Sequence, residues 1–133
     1  MSSFNDRVIQ QFRDNGGLVE GFGTKLVLIN STGARSGAAR VNPALALADG
    51  PSWLVIASAA GAAKHPAWYH NLVANPDVSI ETPRGVRDVT AVELSGERYA
   101  AAWRRFDKAS PAFAKYQRDA QPRQLPILRL EPR

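Results

Sequence analysis

The residues best suited to chemistry lie in two short segments. The first runs from Thr32 to Pro43, T-G-A-R-S-G-A-A-R-V-N-P. Arg35 and Arg40 carry fixed positive charge and a planar fork of N–H donors that matches phosphate or carboxylate. Ser31, Thr32 and Ser36 add hydroxyls, and a turn adds backbone N–H groups. Gly33 and Gly37 permit the positive φ of a tight connection. An apolar run, Leu26 to Ile29, enters the segment, and an alternating run, Val41 to Leu47, leaves it. The pattern reads as the turn of a β-hairpin that either cradles an anion or is simply a basic surface.

The second segment, Ser58 to Asn75, reads S-A-A-G-A-A-K-H-P-A-W-Y-H-N-L-V-A-N and follows the strand-like run Trp53 to Ala57. Small residues from Ala57 to Ala63 leave room for a flat group to approach the backbone. Pro66 suits the first turn of a helix. That helix carries Trp68, Tyr69, Leu72 and Val73 and ends at Asn75-Pro76, because a residue before proline disfavours helical geometry. Its N-terminus offers unpaired N–H groups and the positive end of the dipole, with Lys64 and His65 beside them. Two segments therefore present anion-friendly backbone.

Together the two motifs, T-G-x-R-S-G-x-x-R-V-N-P and S-x-x-G-x-x-K-x-P-x-W-Y-x-N-L-x-A-N-P, resemble the deazaflavin-dependent nitroreductase family of actinobacterial enzymes, which use coenzyme F420, an 8-hydroxy-5-deazaflavin. The resemblance runs from about Leu26 to the C-terminal strand. It implies a split β-barrel, the fold of the FMN-binding, pyridoxamine-phosphate-oxidase-like proteins. It also implies hydride transfer from the reduced deazaflavin to an electron-poor acceptor such as a quinone, an activated enone or a nitro compound. By the same resemblance Arg35, Ser36 and Arg40 meet the phosphate and acidic tail, and Ala34 and Lys64 also contact the coenzyme. Val41, Asn42 and Pro43 run beside the ring, and Ile56, Ala57, Ser58 and Ala59 line its other side. Pro66, Ala67, Trp68, Tyr69, His70 and Asn71 close the pocket.

Each assignment has a plainer counterpart. Trp68 and Leu72, four apart, fit a core face. Asn42-Pro43 could bend an edge strand, and Ser58 could satisfy a strand-end backbone group. Some relatives carry a lysine where this chain has Ala59, which removes one charge from the coenzyme side. Tyr116 and Ser58 are the candidate catalytic residues. Tyr116 is either a proton or hydrogen-bond donor to the substrate or a packing tyrosine. The best-known members of the family this chain resembles have several tyrosines in this region, and Phe113 here replaces one possible hydroxyl, which the resemblance implies would count against activity on bicyclic nitroimidazoles.

The remaining composition bounds these readings. The 133 residues suffice for one domain with a single core. There is no cysteine, so thiol chemistry is excluded. His65 and His70, five apart, do not align on one helix face, so no metal site is expected. Seventeen basic and twelve acidic residues give a net charge of +5. The arginines are scattered rather than striped, which favours an acidic small molecule over nucleic acid. No signal-peptide or spanning pattern is visible, so a cytoplasmic location is expected, with weak peripheral membrane association as the alternative. Oligomeric state stays open. The competing functions are an FMN-dependent split-barrel oxidoreductase, a non-catalytic deazaflavin-binding protein and a nucleic-acid-binding barrel.

The elements that must position these residues follow from periodicity. Phe4, Val8, Ile9 and Phe12 mark one face of a helix over residues 3–15, closed by Gly16-Gly17. Its short apolar stripe and mixed charges fit packing on the barrel, while the family resemblance implies a segment that can cover the site or touch a membrane. Strands are expected over 25–30, 39–48, 53–57, 78–82, 86–94 and 125–130, with helices over 66–74 and from a Ser95 cap to Lys108.

Overall fold

A computed structural model describes residues 3–133. Its helices are α1 (Phe4–Asp14), α2 (Ala67–Ala74), α3 (Gly96–Ala109) and α4 (Ala112–Ala120). Its strands are β1 (Leu26–Thr32), β2 (Ala39–Asp49), β3 (Ser52–Ile56), β4 (Asp77–Thr82), β5 (Gly85–Glu93) and β6 (Ile127–Pro132). All pairings are antiparallel, and the strands close in the order β1-β2-β3-β6-β5-β4. Among the described residues no helix is long and apolar enough to cross a membrane.

Strand alternation explains why the apolar residues sort into three clusters. Val27 and Ile29 of β1 point into the barrel with Val55, Val78, Ile80, Val89, Leu128 and Leu130. Leu26 and Leu28 point the other way, onto Val8 and Phe12 of α1. Leu54 and Ile56 of β3 point outward onto Phe106 of α3 and Phe113 of α4. β1 is apolar on consecutive positions because both of its faces are covered. Trp68 and Leu72 of α2 join the barrel interior, so α2 plugs the barrel.

Ser3 caps α1 reciprocally: its Oγ accepts from the Asp6 N–H at 3.0 Å and its own N–H donates to Asp6 Oδ2 at 3.3 Å. Arg13 then donates two bonds to Glu81 of β4, at 3.0 and 2.8 Å. Those bonds hold the Glu81 carboxyl below its ordinary range. α1 therefore lies on the barrel wall. Phe4, expected on its buried stripe, is 60% exposed.

Pro43 sits on a locally free edge of β2, although the strand as a whole lies inside the closed barrel. It pairs opposite Leu28, while β2 meets β3 only from Ala46 onward. Residues 39–45 thus have one paired edge, where a missing N–H is tolerated. Ser95 occupies the N-cap of α3, but its side chain makes no capping bond. Pro66 is the N-cap of α2 rather than part of its first turn. α4 lies outside the helices that periodicity predicts. Its Phe113, Tyr116 and Ala120 have helical spacing, yet Ser110-Pro111 interrupts the run that α3 began.

Between β3 and α2 the chain makes a short 3-10 turn, Ala59–Gly61, that presses on α4. A Cβ on Gly61 would stand 3.1 Å from the Tyr116 Cα and carbonyl oxygen and 3.0 Å from the Asp119 Cβ, at a φ of +83°. Backbone cannot yield as a flexible side chain does. Gly61→Ala should cost about 2–5 kcal/mol, the sum of overpacking and left-handed strain. Gly21→Ala also has a positive φ but meets nothing within 4 Å, and should cost only about 1 kcal/mol. Urea midpoints measure both; equal losses would show that α4 does not bear on the turn.

Candidate functional site

A cleft of about 700 Å³ opens between the β1–β2 hairpin and the N-terminal half of α2. The hairpin contributes Gly33, Ala34, Arg35, Ser36, Arg40 and Asn42. The other wall is Lys64, His65, Ala67, His70 and Asn71. No carboxylate lines it, and none of Arg35, Arg40 and Lys64 is ion-paired among the described residues. Acidic groups elsewhere do engage arginines: Asp49 pairs with Arg105 and Arg129, and Glu81 with Arg13. Three cations therefore face a cleft with no internal counter-charge.

The hairpin is organised by its own short bonds. The Gly33 N–H donates to the Ala38 carbonyl at 2.8 Å, and the Gly37 N–H to the Gly33 carbonyl at 2.9 Å. Ser36 Oγ accepts from the Ala38 N–H at 3.1 Å. Gly37 has the expected positive φ of +70°, but Gly33 does not. A Cβ on Gly33 would lie 2.6 Å from Ser36 Oγ, so a larger residue there would displace the Ser36 hydroxyl.

Asn71 joins the hairpin to α2. Its Oδ1 accepts from the Ala34 N–H at 2.9 Å, and its Nδ2 lies 3.4 Å from Ser31 Oγ. The Ala34 N–H can only donate, so the orientation of the amide is fixed. Asn71 and Ser31 are both buried, where an unpaired amide would be costly.

The wall before α2 depends on Arg123, in the connection from α4 to β6. Its Nη2 donates to the Ser58 carbonyl at 2.7 Å, its Nη1 to the Ala57 carbonyl at 3.0 Å and its Nε to the Ala62 carbonyl at 3.0 Å. Nη1 also stands 3.0 Å from Nδ1 of His65. Within this span Ala59 and Ala60 both have positive φ, 48° and 52°. Burial, then the positive charge of Arg123, then His70 lower the His65 pKa below its ordinary value. Tyr69, half-buried, donates to Glu93 Oε1 at 2.6 Å. Burial and that bond push its pKa up to about 12.

The sequence-assigned residues thus divide. Ala34, Arg35, Ser36, Arg40, Asn42, Lys64, Ala67, His70 and Asn71 meet at the cleft. Ala57 and Trp68 are buried in the barrel interior, and Ile56 packs toward α3 and α4. Val41 packs on the α1 cluster. Pro43 and Pro66 are half-buried, as are Ser58 and Ala59 in the strained turn. Tyr116 packs beside Phe113, ring centroids 6.1 Å apart, and does not line the cleft. Arg123 has no local sequence signal beyond lying between two prolines. Among the described residues no group of three or more His, Asp or Glu could hold a metal.

The model of the F420H(2)-dependent quinone reductase family matches residues 5–132. The chain belongs to that family. It is 36% identical over 107 residues to Rv3178 of Mycobacterium tuberculosis, provisionally named an F420H(2)-dependent quinone reductase; the match covers 80% of this chain and 89% of that protein. It is 38% identical over 79 residues to the F420H(2)-dependent quinone reductase Rv1261c, also of Mycobacterium tuberculosis, covering 58% of this chain and 53% of the relative, about half its length. Among solved structures, an F420-H2 dependent reductase, FDR-A, superposes with a TM-score of 0.72 at 37% identity, covering 80% of this chain and 94% of that one. A Listeria innocua protein provisionally named a pyridoxamine 5′-phosphate oxidase shares the fold, with a TM-score of 0.54 at 12% identity over 98% of this chain and 94% of the other. The barrel is therefore the split barrel that the two motifs implied.

The Asn71 clamp can be tested apart from any ligand. Asn71→Ala should lower stability by about 1–3 kcal/mol, the cost of leaving buried partners unpaired. Amide hydrogen exchange at Ala34 should accelerate with it. Unchanged exchange at Ala34 would mean that the hairpin holds itself through Gly33, Ser36 and Gly37 alone.

Proposed function

We propose that this protein is an F420H2-dependent reductase that passes a hydride to a quinone-class acceptor. The observation that carries the reading is the cleft: Arg35, Arg40 and Lys64 face it, and no carboxylate does. A coenzyme with a phosphate and a polyacidic tail needs such a surface, and about 700 Å³ is ordinary for a small-molecule site. The bound deazaflavin supplies the hydride; the protein supplies binding, orientation and exclusion of water.

Arg35 and Arg40 project from a hairpin whose shape is set by its own backbone bonds, so their charges are placed before the ligand arrives. Lys64 approaches from the opposite wall. The guanidinium forks suit phosphate and carboxylate oxygens, and the lysine acts as a point charge. Asn71 spends its polar atoms on the hairpin and acts by holding the two walls together. Ala67 leaves the α2 wall flat. No group from α4 is used as a proton donor in this reading, because Tyr116 packs away from the cleft.

Fluorescence titration with coenzyme F420 beside FMN tests the reading. The deazaflavin should bind in the micromolar range or tighter, with FMN much weaker, and a naphthoquinone should oxidise the bound reduced coenzyme. The double variant Arg35→Ala, Arg40→Ala should bind at least tenfold more weakly, about 1.4 kcal/mol. Raised salt should reduce the wild-type affinity, since these side chains are exposed. Preference for FMN, or undiminished affinity in the folded double variant, would overturn the assignment.

A further inference from the structure

His65 stands on the cleft wall with its two ring nitrogens in different situations. Nδ1 lies 3.0 Å from Nη1 of Arg123. Arginine is protonated at all ordinary pH values and its N–H groups can only donate. Nδ1 must therefore accept, which requires an unprotonated Nδ1 and leaves the proton of the neutral ring on Nε2. Nε2 has no protein partner among the described residues, and His65 lines the cleft. The geometry points to His65 as a neutral Nε2–H donor to an acceptor oxygen or nitrogen of the cleft's ligand, with Arg123 as the residue that positions it. The donor role rests on the functional reading above; the tautomer does not.

Arg123 is well placed for this. Gln117 of α4 donates to the Arg123 carbonyl at 2.7 Å and accepts from the Leu125 N–H at 2.9 Å, which fixes the segment carrying the arginine. The guanidinium is shared with three carbonyls of the wall, so it cannot swing away without releasing them. From α2, Tyr69 and His70 flank the imidazole, with centroids 4.6 and 5.7 Å away. Lys64 precedes it in the chain. Glu93 of β5, bonded to Tyr69, is the one carboxylate that favours the protonated ring, and burial, Arg123 and His70 outweigh it. An imidazolium could not accept from Arg123, so protonation and the lock exclude each other.

The sign of the pH dependence follows. The folded pKa of His65 is lowered, so the unfolded chain takes up the proton first as pH falls. The stabilisation is complete above the ordinary histidine value of 6.5 and is lost progressively as pH drops below it.

The chain has two histidines, so His70→Gln in the untagged protein leaves His65 as the sole imidazole. Long-range ¹H–¹⁵N correlation of its ring in the ligand-free protein at neutral pH should show protonated Nε2 and unprotonated Nδ1, titrating below 6.5. A ring protonated on Nδ1, or charged at neutral pH, overturns the lock without requiring any Arg123 variant to fold. Coenzyme F420 affinity tests the donor. Glutamine places its amide nitrogen near the position of Nε2 and asparagine near that of Nδ1. His65→Gln should stay within about threefold of wild type, while His65→Asn and His65→Ala should lose about tenfold, the scale of one hydrogen bond. Equal affinity across all three overturns the donor role. A wild-type protein that shows the tautomer yet binds no deazaflavin overturns the functional reading and the donor role with it, and leaves the lock standing.

Discussion

One guanidinium holds the wall of the site in shape. The turn after β3 places Ala59 and Ala60 consecutively in left-handed conformation. A side-chain-bearing residue is disfavoured there by about 1–2 kcal/mol, so the pair stores about 2–4 kcal/mol of strain. Nothing in an alanine offsets this locally, having no side-chain donor or acceptor. The compensation comes from outside the turn, where Arg123 bonds the carbonyls of Ala57, Ser58 and Ala62. Charge-assisted bonds of this kind contribute about 1.5–3 kcal/mol each, enough together to outweigh the strain. Burial lowers the arginine's pKa, but an arginine has charge to spare at neutral pH. The turn, the entry to α2 and the orientation of His65 thus depend on a residue more than fifty positions away in sequence.

α2 couples this wall to the core. Its Trp68 and Leu72 fill the barrel while Asn71, one residue from Leu72, reaches the hairpin. The helix cannot tilt to widen the cleft without withdrawing Trp68 from the close-packed interior. The site is therefore rigid on the α2 side by packing and on the hairpin side by hydrogen bonds. Rigidity there favours a ligand recognised by fixed charges, because little ordering remains to be done on binding.

Much of this was legible in the chain. β1 and β3 stand out because apolar residues on both parities predict strands covered on both faces, as Leu26 to Ile29 are. The hairpin was legible from its glycines between two strand-like runs, but its serines and arginines fitted a plain basic surface as well as an anion cradle, and Gly33 has no positive φ. Three things were hidden for physical reasons. Arg123 acts only after β6 has closed the barrel and brought the α4–β6 connection against the turn. Trp68 fitted a core face by its spacing and a pocket wall by the resemblance, and the packing of α2 puts it in the barrel interior. α4 was masked by Ser110-Pro111, which reads as the end of a helix and gives no sign that another begins at once. Ala59, where some relatives carry a lysine, stands in the turn outside the cleft lining, whereas Lys64 faces the cleft.

The distribution of charge explains why a scattered set of basic residues yields a defined site. A net charge of +5 spread over the surface would be screened within about 10 Å at moderate salt and would select no partner. Here several barrel carboxylates are already engaged: Asp49 holds Arg105 and Arg129, Glu131 holds Arg129, and Glu81 holds Arg13 and Asn30. Those pairs neutralise the barrel wall locally and leave the hairpin cations to set the potential of the cleft. A concave surface with low-dielectric walls then focuses that potential on whatever enters. The neutral state of His65 belongs to the same logic. A fourth cation beside Arg123 would be repelled by it, whereas a neutral donor adds direction without charge, so the wall can distinguish where on an anionic ligand a hydrogen bond is offered.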